Sequence, residues 1–276
     1  MRNLNSFNMH RTRTISITSG KGGVGKTTLV ANLALTLAQR GKKVLILDGD
    51  LGMANVDILF GVKTQGNIHD ILGGCKEMKD ILVEVSKDVH LIPGGSGVVE
   101  FNHLNHFERR AMVEAVSSLP LGFDYLLIDT APGIAENVLF LNSAAQTVSV
   151  VITPDPASFA DAYALIKVLN RNYKVNHFSI ICNQVRDEQE GLGLYQRFND
   201  VVNKFLYIGL DYWGSVPNDA VLRKATQMQR LIVRHDVGAE SAKAIRQVCA
   251  QIEKSSKQIE TAGGMQMFWD QVVGFA

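Results

Sequence analysis

The chain has 276 residues, 46% hydrophobic and 20% charged, with a formal net charge of +1; it can bury a full α/β core but has no field strong enough to draw it wholesale to nucleic acid or anionic lipid. Three cysteines, Cys75, Cys182 and Cys249, form no CxxC pair, which argues against a disulfide framework or a cysteine metal site and for a reducing, cytoplasmic setting. No apolar run reaches the roughly 18 to 20 residues of a spanning helix, and "MRNLNSFNMHRTR" lacks the apolar core of a signal peptide.

After a polar, loose segment at 1–13, short β-rich runs alternate with helical patterns. The strands are "TISIT" at 14–18, "KVLILD" at 43–48, "VHLIP" at 89–93, "DYLLID" at 124–129, "TVSVVIT" at 147–153, "FSIICN" at 178–183 and "LYIGLDYWGSV" at 206–216. Lys26 to Arg40 places Leu29, Leu33 and Leu37 on one helical face and stops at Gly41, a good residue after a helix end. "ASFADAYALIKVLNR" and "AESAKAIRQVCAQIEK" have the same periodicity. Strands that are apolar almost throughout are covered on both faces, so the fold class is α/β: three layers, a mainly parallel twisted sheet flanked by helices. No repeat or linker interrupts it, which makes 14–260 one domain, followed past Gly263–Gly264 by a separate tail at 265–276.

"GKGGVGKT" from Gly20 to Thr27 satisfies GxxxxGK[ST] between a strand and a helix. Glycines let backbone N–H groups converge on phosphate, and the helix N-terminus adds its dipole. Gly20, Lys21, Gly22, Gly23, Val24, Gly25, Lys26, Thr27 and Thr28 are therefore the candidate ATP-binding loop, with Lys26 bridging the β- and γ-phosphates and the Thr27 hydroxyl on Mg²⁺. Two other strands end in acids, "LDGD" with Asp48 and Asp50, and "LLIDTAPG" with Asp129 followed by Gly133. Carboxylates at that edge of the sheet stand beside the loop, where they can hold a metal or move with the nucleotide.

Lys21, a second lysine inside the glycine run, makes the chain resemble the deviant Walker A ATPases of the MinD/ParA group, a P-loop NTPase family, over Thr14 to about Ile252. The resemblance implies that Lys21 crosses an ATP-sandwiched homodimer to the partner's phosphates, so that Lys21, Lys26 and Asp50 are catalytic, Asp50 positioning or deprotonating the attacking water. It implies Mg²⁺ held by Thr27, Asp50 and Asp129, a first switch with Asp48 and Asn55 in "DGDLGMANVD", and a second with Asp129 and Gly133 in "DTAPGI". Asn183 in "CNQV" and Pro217, Asn218 and Asp219 in "VPND" match the adenine surround, and Asp155 in "TPDP" a ribose contact. Three stretches, "TPDPASFADAYALIKVLN", "LIPGGSG" and "VPNDAVLRKATQMQRLIV", are most similar to the flagellar-number regulators of the group, the FlhG, FleN or YlxH subfamily. Its implied partners are an FlhF-type GTPase and a flagellar transcriptional or basal-body protein; the DQAxxLR segment that stimulates that GTPase is not found in residues 1–13. Division-site MinD proteins and DNA-partitioning ParA proteins share the same chemistry and are the alternatives.

Read as a helix, the tail puts Met265, Phe268, Trp269, Val272 and Val273 on one side. That pattern suits reversible insertion at the inner face of the cell membrane, although residues 258–276 hold no Lys or Arg. His103 and His106 lack further ligands at metal spacing. Arg223, Lys224, Arg230 and Arg234 read as a solvated helix face at this net charge, so DNA is not an expected partner.

Overall fold

The computed structural model describes residues 12–95, 104–117, 119 and 122–261. Eight strands form one sheet: β1 (Arg13–Thr18), β2 (Val44–Gly49), β3 (Val83–Ser86), β4 (Val89–Ile92), β5 (Tyr125–Thr130), β6 (Thr147–Ile152), β7 (His177–Val185) and β8 (Gly209–Pro217). Their spatial order is β3-β4-β2-β5-β1-β6-β7-β8. Every neighbouring pair is parallel except β3–β4, a short antiparallel edge.

The period-2 alternation of each strand decides the layers. In β2, Val44 and Ile46 join the core under helices α1 (Lys26–Gln39) and α11 (Glu240–Thr261), while Leu45 and Leu47 face the opposite side. There α3 (Ile68–Leu72), α4 (Met78–Ile81), α5 (His106–Ser117) and α6 (Glu136–Ala144) cover one half of the sheet. α7 (Pro156–Tyr173) and α8 (Glu188–Leu206) cover the other half. The expected three-layer, mainly parallel architecture is thus the one observed. Full burial of Leu29, Leu33 and Leu37 along α1 contributes about 1.5–3 kcal/mol each.

Two strand readings need correction. The sequence reading has no strand at Val83–Ser86, because four residues at a bulged edge carry too little apolar alternation. β8 starts at Gly209, not Leu206: Leu206 ends α8 and Tyr207 caps it with φ 52°, so the apolar run there spans a helix end, a turn and a strand. The sequence reading also lacks α8, a helix of 19 residues. The tail residues Met265, Phe268, Trp269, Val272 and Val273, residues 1–11 of the N-terminal segment and His103 lie outside the described residues. No helix of the described residues is long and apolar enough to cross a membrane.

The order places β1 between β5 and β6. β1 runs to β2 on one side of itself, while β5 crosses over β1 to β6 on the other, so the connections diverge at the carboxyl ends of these strands. In open α/β sheets that crevice is where ligands bind.

Candidate functional site

The loop after β1 turns into α1 through Gly25, at φ 89°, with Gly23 also left-handed at φ 77°. A Cβ at Gly25 would lie 2.5 Å from the side-chain nitrogen of Asn183, so this position needs both the torsion and the missing side chain. α1 has no side-chain cap and no acid in its first turn, which leaves its N-terminal N–H groups and positive dipole end for an anion. The outside of the loop is clamped by neighbours. Asn183 Nδ2 donates to the Val24 carbonyl at 2.7 Å, Gln184 Nε2 to the Gly23 carbonyl at 3.1 Å, and the Gly133 N–H to the Ser19 carbonyl at 2.9 Å.

Lys26 opens α1 buried, its Nζ donating to Ser19 Oγ at 2.8 Å. Burial pushes its pKa down, and the nearby carboxylates of Asp129 and Asp50 oppose that shift. Asp129 and Asp48 end β5 and β2 as paired residues of adjacent strands. Burial, then the charge of Asp48, pushes Asp129 up to about 8, against the Thr27 hydroxyl bond and the Lys26 charge. Asp48 is also pushed up by burial, to about 6, although it accepts backbone N–H bonds from Asp50 (3.2 Å), Asn55 (3.0 Å) and Val56 (3.0 Å). It therefore serves as the anchor of the segment that follows β2. Asp50, one step further along, accepts from the Met53 N–H at 3.1 Å and stands at the mouth of the site.

The residues present fit a magnesium ion beside nucleotide. Asp129 Oδ1 is buried without a hydrogen-bond partner, while the Thr27 hydroxyl bonds to the same carboxylate, so a hard oxygen donor faces the loop. Among the described residues no group of three or more His, Cys, Asp or Glu could cage a metal alone. That suits an ion completed by phosphate oxygens and water.

Lys21 and Asp155, which the sequence reading gives separate jobs, form an ion pair with each other. Asp155 also caps α7 through the Ala157 N–H at 3.1 Å, and the lysine, first, and this cap hold its carboxyl below the usual range. The residues read as the adenine surround are brought to the same side by β7 and β8, and each has a structural bond. Asn183 holds the loop, the Asn218 N–H donates to the Val185 carbonyl at 2.7 Å with its side chain accepting from Arg223, and Pro217 ends β8. Asp219 caps α9 (Ala220–Gln227) through the Val221 N–H at 2.8 Å and accepts from the Ser241 hydroxyl at 2.7 Å. Asn55 precedes α2 (Val56–Phe60) without a side-chain capping bond, its backbone N–H donating to Asp48, and Gly133 takes φ 93°. Sequence reasoning missed Ser19, Gln184 and Ser241. Only Gln184 carried a local signal after folding, an uncommon φ of 57° for a residue with a side chain.

A protein-family model described as an AAA domain matches residues 12–181. The antiactivator FleN of Pseudomonas aeruginosa is 36% identical over 265 residues, covering 96% of this chain and 95% of that protein. This chain belongs to the MinD/ParA-type P-loop ATPases. The flagellum site-determining protein YlxH of Helicobacter pylori is 35% identical over 84% of this chain and 79% of its own length. The solved MinD of Pyrococcus horikoshii, complexed with Mg-ADP, superposes with a TM-score of 0.74 at 27% identity, covering 89% of this chain and 98% of that one. As a MinD/ParA-type protein the chain is an ATP-hydrolysing P-loop enzyme.

Proposed function

We propose that this chain is a Mg²⁺-dependent ATPase switch that dimerises with ATP and controls the number or placement of flagella. The observation that carries it is identity of 36% with FleN along nearly the whole chain; the glycine loop before α1 and the pairing of Asp48 with Asp129 support it. Loop N–H groups from Gly20 to Thr28 and the Lys26 ammonium neutralise the phosphates of ATP. Thr27, Asp50 and Asp129 would hold Mg²⁺, which would supply further positive charge beside the phosphates. Asp50 orients the attacking water and accepts its proton. Lys21 leaves Asp155, crosses to the partner's phosphates and removes the repulsion between two facing nucleotides. The dimer presents two tails at 265–276 to the membrane, where the second insertion is intramolecular and each weak anchor becomes effective. Its output is exchange of partners, an FlhF-type GTPase and a flagellar transcriptional or basal-body protein among them. DNA is not an expected partner at a formal net charge of +1.

Size-exclusion chromatography with ATP or ADP, on wild type and Asp50→Ala, tests the switch. Asp50→Ala should bind ATP, fail to turn it over and accumulate as a dimer; a variant that stays monomeric with ATP removes the dimer from the proposal. Liposome flotation with and without residues 265–276 tests the anchor, which is wrong if deletion leaves flotation unchanged.

A further inference from the structure

The segment carrying Asp50 is gripped from its far side by residues that belong to no nucleotide motif. His69, the second residue of α3, is buried, and its Nε2 lies 2.9 Å from the Leu51 carbonyl oxygen. A carbonyl only accepts, so Nε2 carries the proton in this contact. The turn that follows β4, Pro93 to Gly95, completes the grip. The Ala54 N–H donates to the Gly95 carbonyl at 3.2 Å, and the Ile68 N–H to the Pro93 carbonyl at 2.9 Å. The fit leaves no room for side chains: a Cβ on Gly94 would lie 2.7 Å from the Asp48 carbonyl oxygen, and one on Gly95 2.0 Å from the His69 ring. Asp48 holds the segment through three N–H groups from below. His69 holds it from above, at the residue next to Asp50.

We infer that His69 is a positioning residue for hydrolysis: its Nε2–H fixes the Leu51 carbonyl and thereby the direction in which the neighbouring Asp50 carboxylate points. The inference rests on Asp50 acting on the attacking water. The loop that binds phosphate is held by other residues, Asn183, Gln184 and Gly133, so loss of the His69 bond separates turnover from nucleotide affinity. Reorientation of a water-positioning group by a small fraction of an ångström to an ångström is costly to rate and not to binding.

The test compares His69→Leu, which keeps volume and removes the donor, with His69→Gln, whose side-chain N–H₂ can reach the same carbonyl. Turnover of ATP and affinity for a fluorescent ATP analogue are measured on the full chain with Mg²⁺. His69→Leu should lower kcat about tenfold, the loss of one buried hydrogen bond, with affinity unchanged within about twofold. His69→Gln should recover kcat to within about threefold of wild type. Phe198→Leu, at a buried position of α8 far along the chain, controls for stability: at a similar loss of melting temperature it should keep kcat. Unchanged kcat in His69→Leu, an equal fall in affinity, or no recovery in His69→Gln overturns the inference. Asp50→Ala in the same assay separates the two levels: turnover retained there overturns the reading of Asp50 itself, whereas turnover lost there with His69→Leu fully active overturns only the role of His69.

Discussion

Asp48 and Asp129 stand side by side across two parallel strands, paired residue for residue at the ends of β2 and β5. Both are buried, and burial raises both, Asp48 to about 6 and Asp129 to about 8. Two carboxylates so placed disfavour double ionisation without a cation between or beside them. The pair therefore holds a proton on Asp129 in the nucleotide-free protein rather than two facing charges.

A pH dependence follows for the metal-free, nucleotide-free chain. Between the unfolded value near 3.8 and the folded value of about 8, folded Asp129 keeps a proton that the unfolded chain has released, so stability declines as pH rises through that window. Asp48 adds to the decline up to about pH 6. Asp129→Asn, which cannot ionise, should melt above wild type at pH 8 in EDTA and match it near pH 4. Each kcal/mol of difference corresponds to about 2–4 °C in a chain of this size. Melting curves that run parallel across this pH range would refute it.

Asp155→Asn separates the two jobs of that residue. Asparagine caps a helix as well as aspartate, so α7 keeps its start while Lys21 loses its ion partner. The pair is 41% and 42% exposed on its two side chains, so its loss costs ~0–1 kcal/mol and the melting temperature barely moves. With Lys21 free, ATP should drive dimerisation at lower concentration than in wild type. Sedimentation velocity across an ATP titration reads this directly, and identical midpoints would show that the pair restrains nothing.

Gly25→Ala should weaken nucleotide binding without unfolding the domain. The new methyl meets Asn183 Nδ2 at 2.5 Å and the residue must hold φ 89°, a conformation costing roughly 1–2 kcal/mol for an L side chain. Either the loop turn opens or Asn183 lets go of Val24. Affinity for ATP should fall at least about tenfold, with far-UV circular dichroism unchanged. Normal ATP affinity in this variant would mean that the loop geometry is not the binding site.

Asp219→Ala should weaken the β8 end of the site. It removes the α9 cap and leaves the buried Ser241 hydroxyl without its acceptor, a combined cost of roughly 1–3 kcal/mol by urea unfolding. Asp219→Asn keeps one oxygen for the Val221 N–H but puts an N–H₂ donor where the second carboxylate oxygen accepts from Ser241, so it should keep the α9 cap, lose the Ser241 contacts and fall between wild type and Asp219→Ala. Wild-type stability in Asp219→Asn would show that the Ser241 contacts contribute nothing.

How much was legible depended on range. Unbroken apolar runs in "VLILD" and "YLLID" specify strands covered on both faces, and GxxxxGKT specifies the loop, because both are set by neighbours within a few residues. The acids at strand ends were readable for the same reason. β3 was not, being a bulged edge of four residues, and neither was the true start of β8, hidden by the left-handed cap at Tyr207.

By itself the sequence determined a parallel α/β sheet, a phosphate loop after the first strand, and the side of the sheet on which Asp50 and Asp129 emerge. Only the tertiary structure decided who touches whom. Lys21 meets Asp155 across 134 residues, Asn183 reaches back 159 residues to Val24, and His69 grips Leu51 from a helix outside every motif. The physical reason is the strand order, β2-β5-β1-β6-β7, which brings distant chain ends to one edge. Unbroken apolarity records that a strand is buried on both faces; it does not record which strand lies next to which.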